Sequence, residues 1–390
     1  MKWDSVQLGE VMDVKHGFAF KGEFFADSGE YMLLTPGNCH ETGGLKLRGE
    51  RDKFYSGEFP PEFLLSEGDM LVVMTDLVNS APILGGSLSI PESNRFLHNQ
   101  RLGLVEITDL ARIDRTYLRY LLNTHDYRAQ VRGSASGATV RHTSPGRIKA
   151  CRVLIPRDLE QQRRIGETLS AYESLIENNR RRMALLEDAA RQLYREWFVR
   201  LRFPGHEHTR ITDGVPEGWD QERLGESIEI RKGRNITQAI AEQGAVPVVA
   251  GGLEPAYFHS TANARGPVIT ISASGANAGY VNLYSGDIWA SDCSYISAAW
   301  TDDIYYLYCL LKHRQQEVFA LQKGAAQPHV YPKDLQRLDV VSPPGRLLRH
   351  FAETVEPVFA LIANLSMQNR KAQATRDLLL PRLISGEIAV

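Results

Sequence analysis

The sequence predicts an α+β protein built twice over. Two similar domains are separated by two long helices that form an antiparallel coiled coil, giving an internal repeat with approximate two-fold character. Three observations carry this reading. One phrase opens both halves, a second phrase closes both bodies, and a heptad seam follows each closing phrase. Each repeat of this kind marks one structural unit.

The opening phrase reads WDSVQLGEVMDVKHG from Trp3 and WDQERLGESIEIRKG from Trp219, an offset of 216. Identical positions are Trp3/Trp219, Asp4/Asp220, Leu8/Leu224, Gly9/Gly225, Glu10/Glu226 and Gly17/Gly233. The two tryptophans and the two leucines are expected in the core. The closing phrase reads GATVRHTSPGRIKACRVLIP from Gly137 and GAAQPHVYPKDLQRLDVVSP from Gly324, now at an offset of 187. It keeps His142/His329, Pro145/Pro332, Val153/Val340 and Pro156/Pro343, so the first half carries 29 more residues between its two phrases. A third match, IGETLSAYESLIEN from Ile165 and FAETVEPVFALIAN from Phe351, follows at an offset of 186. Three blocks in one order define a duplication, and they divide the chain into a body over 1–158, a helical segment over 159–203, a second body over 204–344 and a second helical segment over 345–390.

Inside the bodies, MLVVMT from Met70 and PVITIS from Pro267 read as strands, bounded by turn-rich stretches such as TPGNCHETGG and SASGANAG. Helix is expected within RTYLRYLLNTHDYRAQVRG from Arg115 and DIYYLYCLLKHRQQEVFALQKG from Asp303. The first helical tail places Ile165, Leu169, Tyr172, Ile176, Asn179, Met183, Leu186, Ala190, Leu193 and Trp197 at alternating spacings of four and three, a heptad seam. A helix over those residues is about 48 Å long. Asn179 is the one strongly polar member, fitting either a register pin or a tolerated defect. The second tail repeats the seam as Phe351, Val355, Val358, Ile362, Leu365, Asn369, Ala372, Arg376, Leu379 and Leu383. Pro357 and Pro381 interrupt it and Arg376 sits on it, so this helix is expected to be bent or to start near Val358. The first tail leads away from body one and the second must return from body two, which makes the pair antiparallel.

At 390 residues, 43% hydrophobic and 24% charged, the chain has the composition of a globular protein with room for two cores. The opening residues MKWDSVQLGE do not resemble a signal peptide, and no apolar run reaches the roughly 18 to 20 residues of a membrane span. A cytoplasmic location without membrane contact is expected. Cys39, Cys151, Cys293 and Cys309 show no metal-ligand spacing and read as buried thiols. The net charge of −2 excludes a uniformly basic chain. Basic residues nevertheless cluster at Arg141, Arg147, Lys149, Arg152, Arg157, Arg163 and Arg164, and again from Arg180 to Arg202. Such clusters fit a solvated face or a phosphate backbone.

Catalytic motifs are missing. Gly-Lys never occurs, which excludes a GxxxxGK[ST] phosphate loop, and HEXXH and GxSxG do not occur either. Ser342-Pro343-Pro344-Gly345 is the nearest approach to the Asp/Asn-Pro-Pro-aromatic tetrapeptide of adenine methyltransferases and has the wrong ends. No metal site and no bound cofactor are expected.

Candidate DNA-reading groups lie in polar loops. They are Thr75, Asp76 and Asn79 in MTDLVNS, then Asn99, Gln100 and Arg101, and in the second body Ser272, Ser274 and Asn277 in ISASGANAG. Asn and Gln pair bidentately with adenine and Arg with guanine. The same residue types also serve turns by bonding their own backbone. Lys15, His16, Lys232 and Arg234 beside the opening phrases, and Arg141 and Lys333 beside the closing ones, suit phosphate contacts. His142 and His329 recur in both halves, which favours a shared structural task.

The phrases ENNRRRMALLEDAARQLYREWFV from Glu177, DLLLPRLISGEI from Asp377, VPEGWDQERLGE from Val215, PVITISASGANAGYV from Pro267 and FLHNQRLG from Phe96 resemble the specificity subunit of type I restriction-modification enzymes. The likeness covers essentially the whole chain. It implies two target-recognition domains, each reading one half of a bipartite, asymmetric site in double-stranded DNA. It also implies that the helices set the spacer and dock two modification (methyltransferase) subunits, with restriction subunits joining where present. S-adenosylmethionine, ATP and Mg2+ would then belong to those partners, and the chain itself would be non-catalytic. Two rival readings are a coiled-coil scaffold that touches no DNA and a nuclease with an unrecognised site.

Overall fold

The computed structural model describes residues 2–324 and 327–388. The chain forms two compact units, Met1–Ile176 with Arg370–Val390, and Glu177–Asn369.

In the first unit the opening strand Trp3–Gln7 pairs antiparallel with the closing strand Arg152–Pro156, Trp3 lying opposite Pro156. The second unit repeats this with Asp220–Arg223 against Asp339–Ser342. The two repeated phrases are therefore neighbours in space, one zipping onto the other to close each body. Each body then contains a four-stranded antiparallel sheet. In the first unit its order is Met12–His16, Leu102–Ile107, Met70–Val73, Ser87–Ser89, and in the second Arg231–Lys232, Cys293–Ser297, Val268–Ser272, Val281–Tyr284. Met70–Val73, Val268–Ser272 and Cys293–Ser297 are buried along their whole length, and the first reads as an unbroken apolar run. A smaller sheet completes each body, and in both its last pair is parallel: Tyr31–Leu33 with Phe96–Leu97, and Val246–Val249 with Trp289–Ala290.

Gly17 and Gly233 show why the opening phrase ends in glycine. A Cβ on Gly17 would lie 2.3 Å from the Asn99 carbonyl oxygen, and one on Gly233 would lie 2.2 Å from that of Ser291. Only a residue without a side chain lets these backbones meet. Of the paired aromatic and aliphatic positions, Leu8, Leu224 and Trp219 are buried as expected, whereas Trp3 is only half-buried, against Gly386.

The two helical stretches expected inside the bodies are each broken into two. Arg115–Leu121 is followed by His125–Ser134, and Ile304–His313 by Gln315–Ala320. Thr124 adopts an extended backbone and its hydroxyl donates to the Leu121 carbonyl at 2.7 Å, ending one helix and starting the next. Arg314 marks the second break and donates its guanidinium to the Asp339 carbonyl at 2.6 Å.

The first long helix spans Leu159–Tyr194 and passes into a five-residue π-helical turn, Arg195–Val199. The second spans Gly345–Ile384 as one continuous helix, which corrects the expectation of a start near Val358. Pro357 and Pro381 both lie on the exposed side. Glu353, whose carbonyl loses its helical donor to Pro357, is itself exposed, so the interruption is cheap there.

Every seam position is buried or half-buried. In the first helix and its π turn, Ile165, Leu169, Ile176, Asn179, Ala190 and Trp197 are buried, and Tyr172, Met183, Leu186 and Leu193 are half-buried. In the second, Phe351, Val355, Leu365, Asn369, Ala372 and Leu383 are buried, with Val358, Ile362, Arg376 and Leu379 half-buried. Within the second unit the Asn179 amide donates to the Asn369 side-chain oxygen at 3.0 Å, while Trp197 packs on Phe351 with ring centroids 5.8 Å apart. Within the first unit Ile165 and Leu169 share a core with Leu383 and Ile384, and Glu173 lies 3.9 Å from Arg376. Both units thus hold antiparallel helical segments. Arg376 is tolerated on the seam because Asp377 (2.7 Å) and Glu173 answer its charge, and Arg119 engages Glu173 at 2.9 Å.

All four cysteines are free and buried, and burial pushes the thiols of Cys39 and Cys293 up to about 12.

Gly17→Ala in the full chain is expected to destabilise the first unit by roughly 1–3 kcal/mol through overpacking against backbone. Gly22, with open space around it, should accept alanine with little change. Urea midpoints of the two variants check the contrast.

Candidate nucleic-acid interface

Strand register gathers most of the candidate residues at one end of the four-stranded sheet. In the first unit His16 and Val72 both lie opposite Gly103, which aligns the end of the first strand with the start of the central one and the end of its neighbour. Beyond that row, Met74 N–H donates to the Arg101 carbonyl at 2.9 Å and Thr143 N–H to the Met74 carbonyl at 2.9 Å. Thr75 and Asp76 pair with His142 and Arg141. Lys15, His16, Asn99, Gln100, Arg101, Thr75, Asp76, Arg141 and His142 therefore share one edge.

The second unit builds the same edge. Lys232 pairs with Ser294, Ile271 with Ser294 and Ser272 with Cys293. Ala273 N–H donates to Asp292 and Val330 N–H to Ala273, as Met74 and Thr143 do in the first unit. His329 bridges to both Ser274 and Lys323, as His142 bridges to Thr75 and, across its hairpin, to Ser136. This is the structural task the histidines share. Arg234, Asn277 and Lys333 complete the group.

Burial then sorts these residues. Asp76 is 2% exposed, and its two carboxylate oxygens accept from Val78 N–H at 3.0 Å and Ile83 N–H at 2.9 Å. Thr75 is buried with its hydroxyl 3.1 Å from His142 Nδ1, and Asn99 is buried while accepting from Arg101 N–H at 3.0 Å. Ser272 is buried within its strand. Arg141 is half-buried and turns inward, donating to the Arg132 carbonyl at 3.0 Å. In contrast to exposed loop groups, these five are buried or turned inward, and Thr75, Asp76, Asn99 and Arg141 engage groups of the protein itself.

The exposed set is smaller. In the first unit it comprises Lys15, His16, Asn79, Gln100 and Arg101, with Lys15 held at 2.6 Å by Glu106. In the second it comprises Lys232, Arg234 and Lys333, with Ser274 and Asn277 half-buried. Ser274 donates to Asp292, and Asn277 donates to the Gly251 carbonyl at 3.3 Å. Arg234 stacks over the Trp289 ring at 4.6 Å, fixing its guanidinium plane.

The basic clusters outside these edges are largely compensated locally. Lys149 pairs with Asp13 (2.8 Å), Arg157 with Asp4 (2.7 Å), Arg181 with Glu177 (3.0 Å) and Arg195 with Asp188 (3.7 Å). His98 is buried and donates from Nε2 to the Leu102 carbonyl at 2.9 Å, and burial lowers its pKa.

The sequence reading passed over three features of these edges. Leu77 and Val78 stand 62% and 54% exposed at the tip that Asp76 braces. Tyr331 stacks on His329 with centroids 5.9 Å apart, and Asp292 anchors Ser274. A run such as DLVNS reads as strand followed by turn, and nothing in the one-dimensional pattern marks its aliphatic pair as exposed.

Two copies of one body, each offering the same sheet end with different side chains, define a tandem recognition protein. The sequence profile of the "Type I restriction modification DNA specificity domain" matches residues 1–188 and 216–365. The chain belongs to this family and carries its domain twice. It is 25% identical over 299 residues to the type I restriction enzyme MjaIX specificity subunit of Methanocaldococcus jannaschii, covering 70% of this chain and 69% of that one. A putative type I specificity subunit of Mycoplasma pneumoniae is 21% identical over 339 residues, covering 84% of this chain and 81% of that one. The crystal structure of a type I restriction-modification S subunit from M. genitalium shares the fold, with a TM-score of 0.59 at 16% identity over 98% of this chain and 96% of that one. Among the described residues no helix is long and apolar enough to cross a membrane.

Removing the Asp76 carboxylate strips two backbone donors of their acceptor. Asp76→Ala should cost about 1–3 kcal/mol of local stability. Hydrogen exchange should quicken at Val78 and Ile83 and stay unchanged at Leu104.

Proposed function

We propose that the chain is the sequence-reading subunit of a type I restriction-modification complex, in which each unit contacts one half of a split, asymmetric site in duplex DNA. The observation that carries this reading is the pair of equivalent sheet ends. They share one backbone frame, and they differ in the groups their loops display: exposed Asn79, Gln100 and Arg101 on the first against half-buried Ser274 and Asn277 on the second. Shared frames suit a repeated backbone, and differing side chains suit two different half-sites. Lys15, His16, Lys232, Arg234 and Lys333 then contact phosphates.

The 36-residue and 40-residue helices set the spacer between half-sites and dock modification subunits, two on this reading, with restriction subunits joining where present. The chain performs no bond chemistry itself. S-adenosylmethionine, ATP and Mg2+ belong to the partner subunits, and the complex works in the cytoplasm.

The test uses the full chain with its modification subunit and a random-sequence duplex. Binding should weaken steeply with salt. Lys232→Gln with Arg234→Gln should reduce the slope of log affinity against log salt by about 2, lowering affinity for every duplex alike. Binding that ignores salt, or no binding with the partner present, would overturn the proposal.

A further inference from the structure

The first unit's sheet end carries a loop that the second unit builds differently. Beyond Met70–Val73 the chain continues through Thr75 and Asp76 into a tight loop, Leu77-Val78-Asn79-Ser80. Leu77 is 62% exposed and Val78 54%. Single exposed aliphatic residues are ordinary. Here two adjacent ones crown a loop whose backbone is held from beneath. Asp76 accepts from Val78 and Ile83, Ala81 N–H donates to the Val78 carbonyl at 2.9 Å, and Ala81 takes a left-handed backbone with φ of 50°. A loop ordered this firmly around two apolar side chains in water gains nothing for the fold from their exposure.

Its surroundings indicate what covers it. The loop leaves the sheet between the Arg101 backbone, which pairs with Met74, and the Arg141–His142 strand, and Lys15 and His16 lie along the same edge. An apolar tip set among cationic and amide groups fits the major groove of a duplex. There the C5-methyl of thymine is the one apolar group on a base edge, and phosphates flank it. The corresponding loop of the second unit is Ser274-Gly275-Ala276-Asn277, which holds only small and polar side chains.

We propose that Leu77 and Val78 read thymine methyl groups in the half-site bound by the first unit. This rests on the DNA-reading function proposed above and adds to it a specificity-determining pair. Burying one methyl against this tip is worth about fourfold in affinity.

The experiment selects duplexes from a random pool with the full chain and its modification subunit, then replaces thymine by deoxyuridine in one half-site at a time. For the wild type, replacement in the half-site read by the first unit should weaken binding about fourfold per contacted methyl. The Leu77→Ser/Val78→Ser variant should bind the thymine duplex with correspondingly lower affinity, be indifferent to deoxyuridine in that half-site, and respond like wild type to deoxyuridine in the other. Both positions are exposed, and a circular dichroism spectrum and urea midpoint equal to wild type confirm the fold. Equal responses of wild type and variant to deoxyuridine in both half-sites, or selected half-sites without thymine, would overturn the inference and leave the general DNA-reading function standing. A variant that loses its modification subunit while keeping its thymine preference would overturn it in favour of a protein contact. If the wild type selects no duplex, the DNA-reading function falls and this inference falls with it.

Discussion

The structure depends on one pairing made twice: the first strand of each body lies antiparallel to its last, Trp3 opposite Pro156 and Asp220 opposite Ser342. That pairing brings the start and the end of each body together. The long helices begin within a few residues of the closing strands, at Leu159 and Gly345, so the chain can leave each body along a helix without disturbing the sheets. Loops between the two paired strands can vary while this frame is kept. The first body uses the freedom for 29 additional residues and a longer second sheet.

The sheet ends show how a fixed frame is furnished for different tasks. Close backbone approach at Gly17 and Gly233, and the histidine bridges at His142 and His329, are the same in both units. They cost side-chain freedom at those positions and hold the loops in place. Variation is confined to what the loops display: an aliphatic tip over a buried carboxylate in one unit, and a small polar turn with an arginine stacked on tryptophan in the other. Buried polar groups that brace a loop are as constrained as any core residue, because an unmet hydrogen bond there costs as much as a packing defect.

The repeat and the seams were legible in the sequence because both depend on spacing, which a chain records directly. Seam residues from Ile165 to Trp197 and from Phe351 to Leu383 are all buried or half-buried, Arg376 included, with Glu173 supplying a counter-charge. Pro357 misled, since spacing says that a helix is interrupted but not that the interruption faces solvent. The candidate site was half legible. Lys15, Lys232, Arg234 and Arg101 could be picked out as cations beside the repeated phrases or in polar loops. Whether Asp76 and Asn99 face a ligand or brace a turn depends on backbone donors a few residues away, and Leu77 and Val78 become conspicuous only when the strand beneath them is seen to end. The two edges themselves were invisible, since strand register and a few backbone hydrogen bonds join residues far apart in the chain, as Lys15 is from His142 in the first unit and Lys232 from His329 in the second.

The central claim is that this chain decides where a modification subunit acts. Long-read mapping of N6-methyladenine tests it most directly, in DNA from cells carrying the chain with its modification subunit and from cells lacking only the chain. The account predicts methylation at a split, asymmetric motif that vanishes when the chain is deleted, and a motif altered in one half only when residues 1–158 are exchanged for another body of the family. Methylation that persists unchanged without the chain, while the modification subunit remains active, would contradict it.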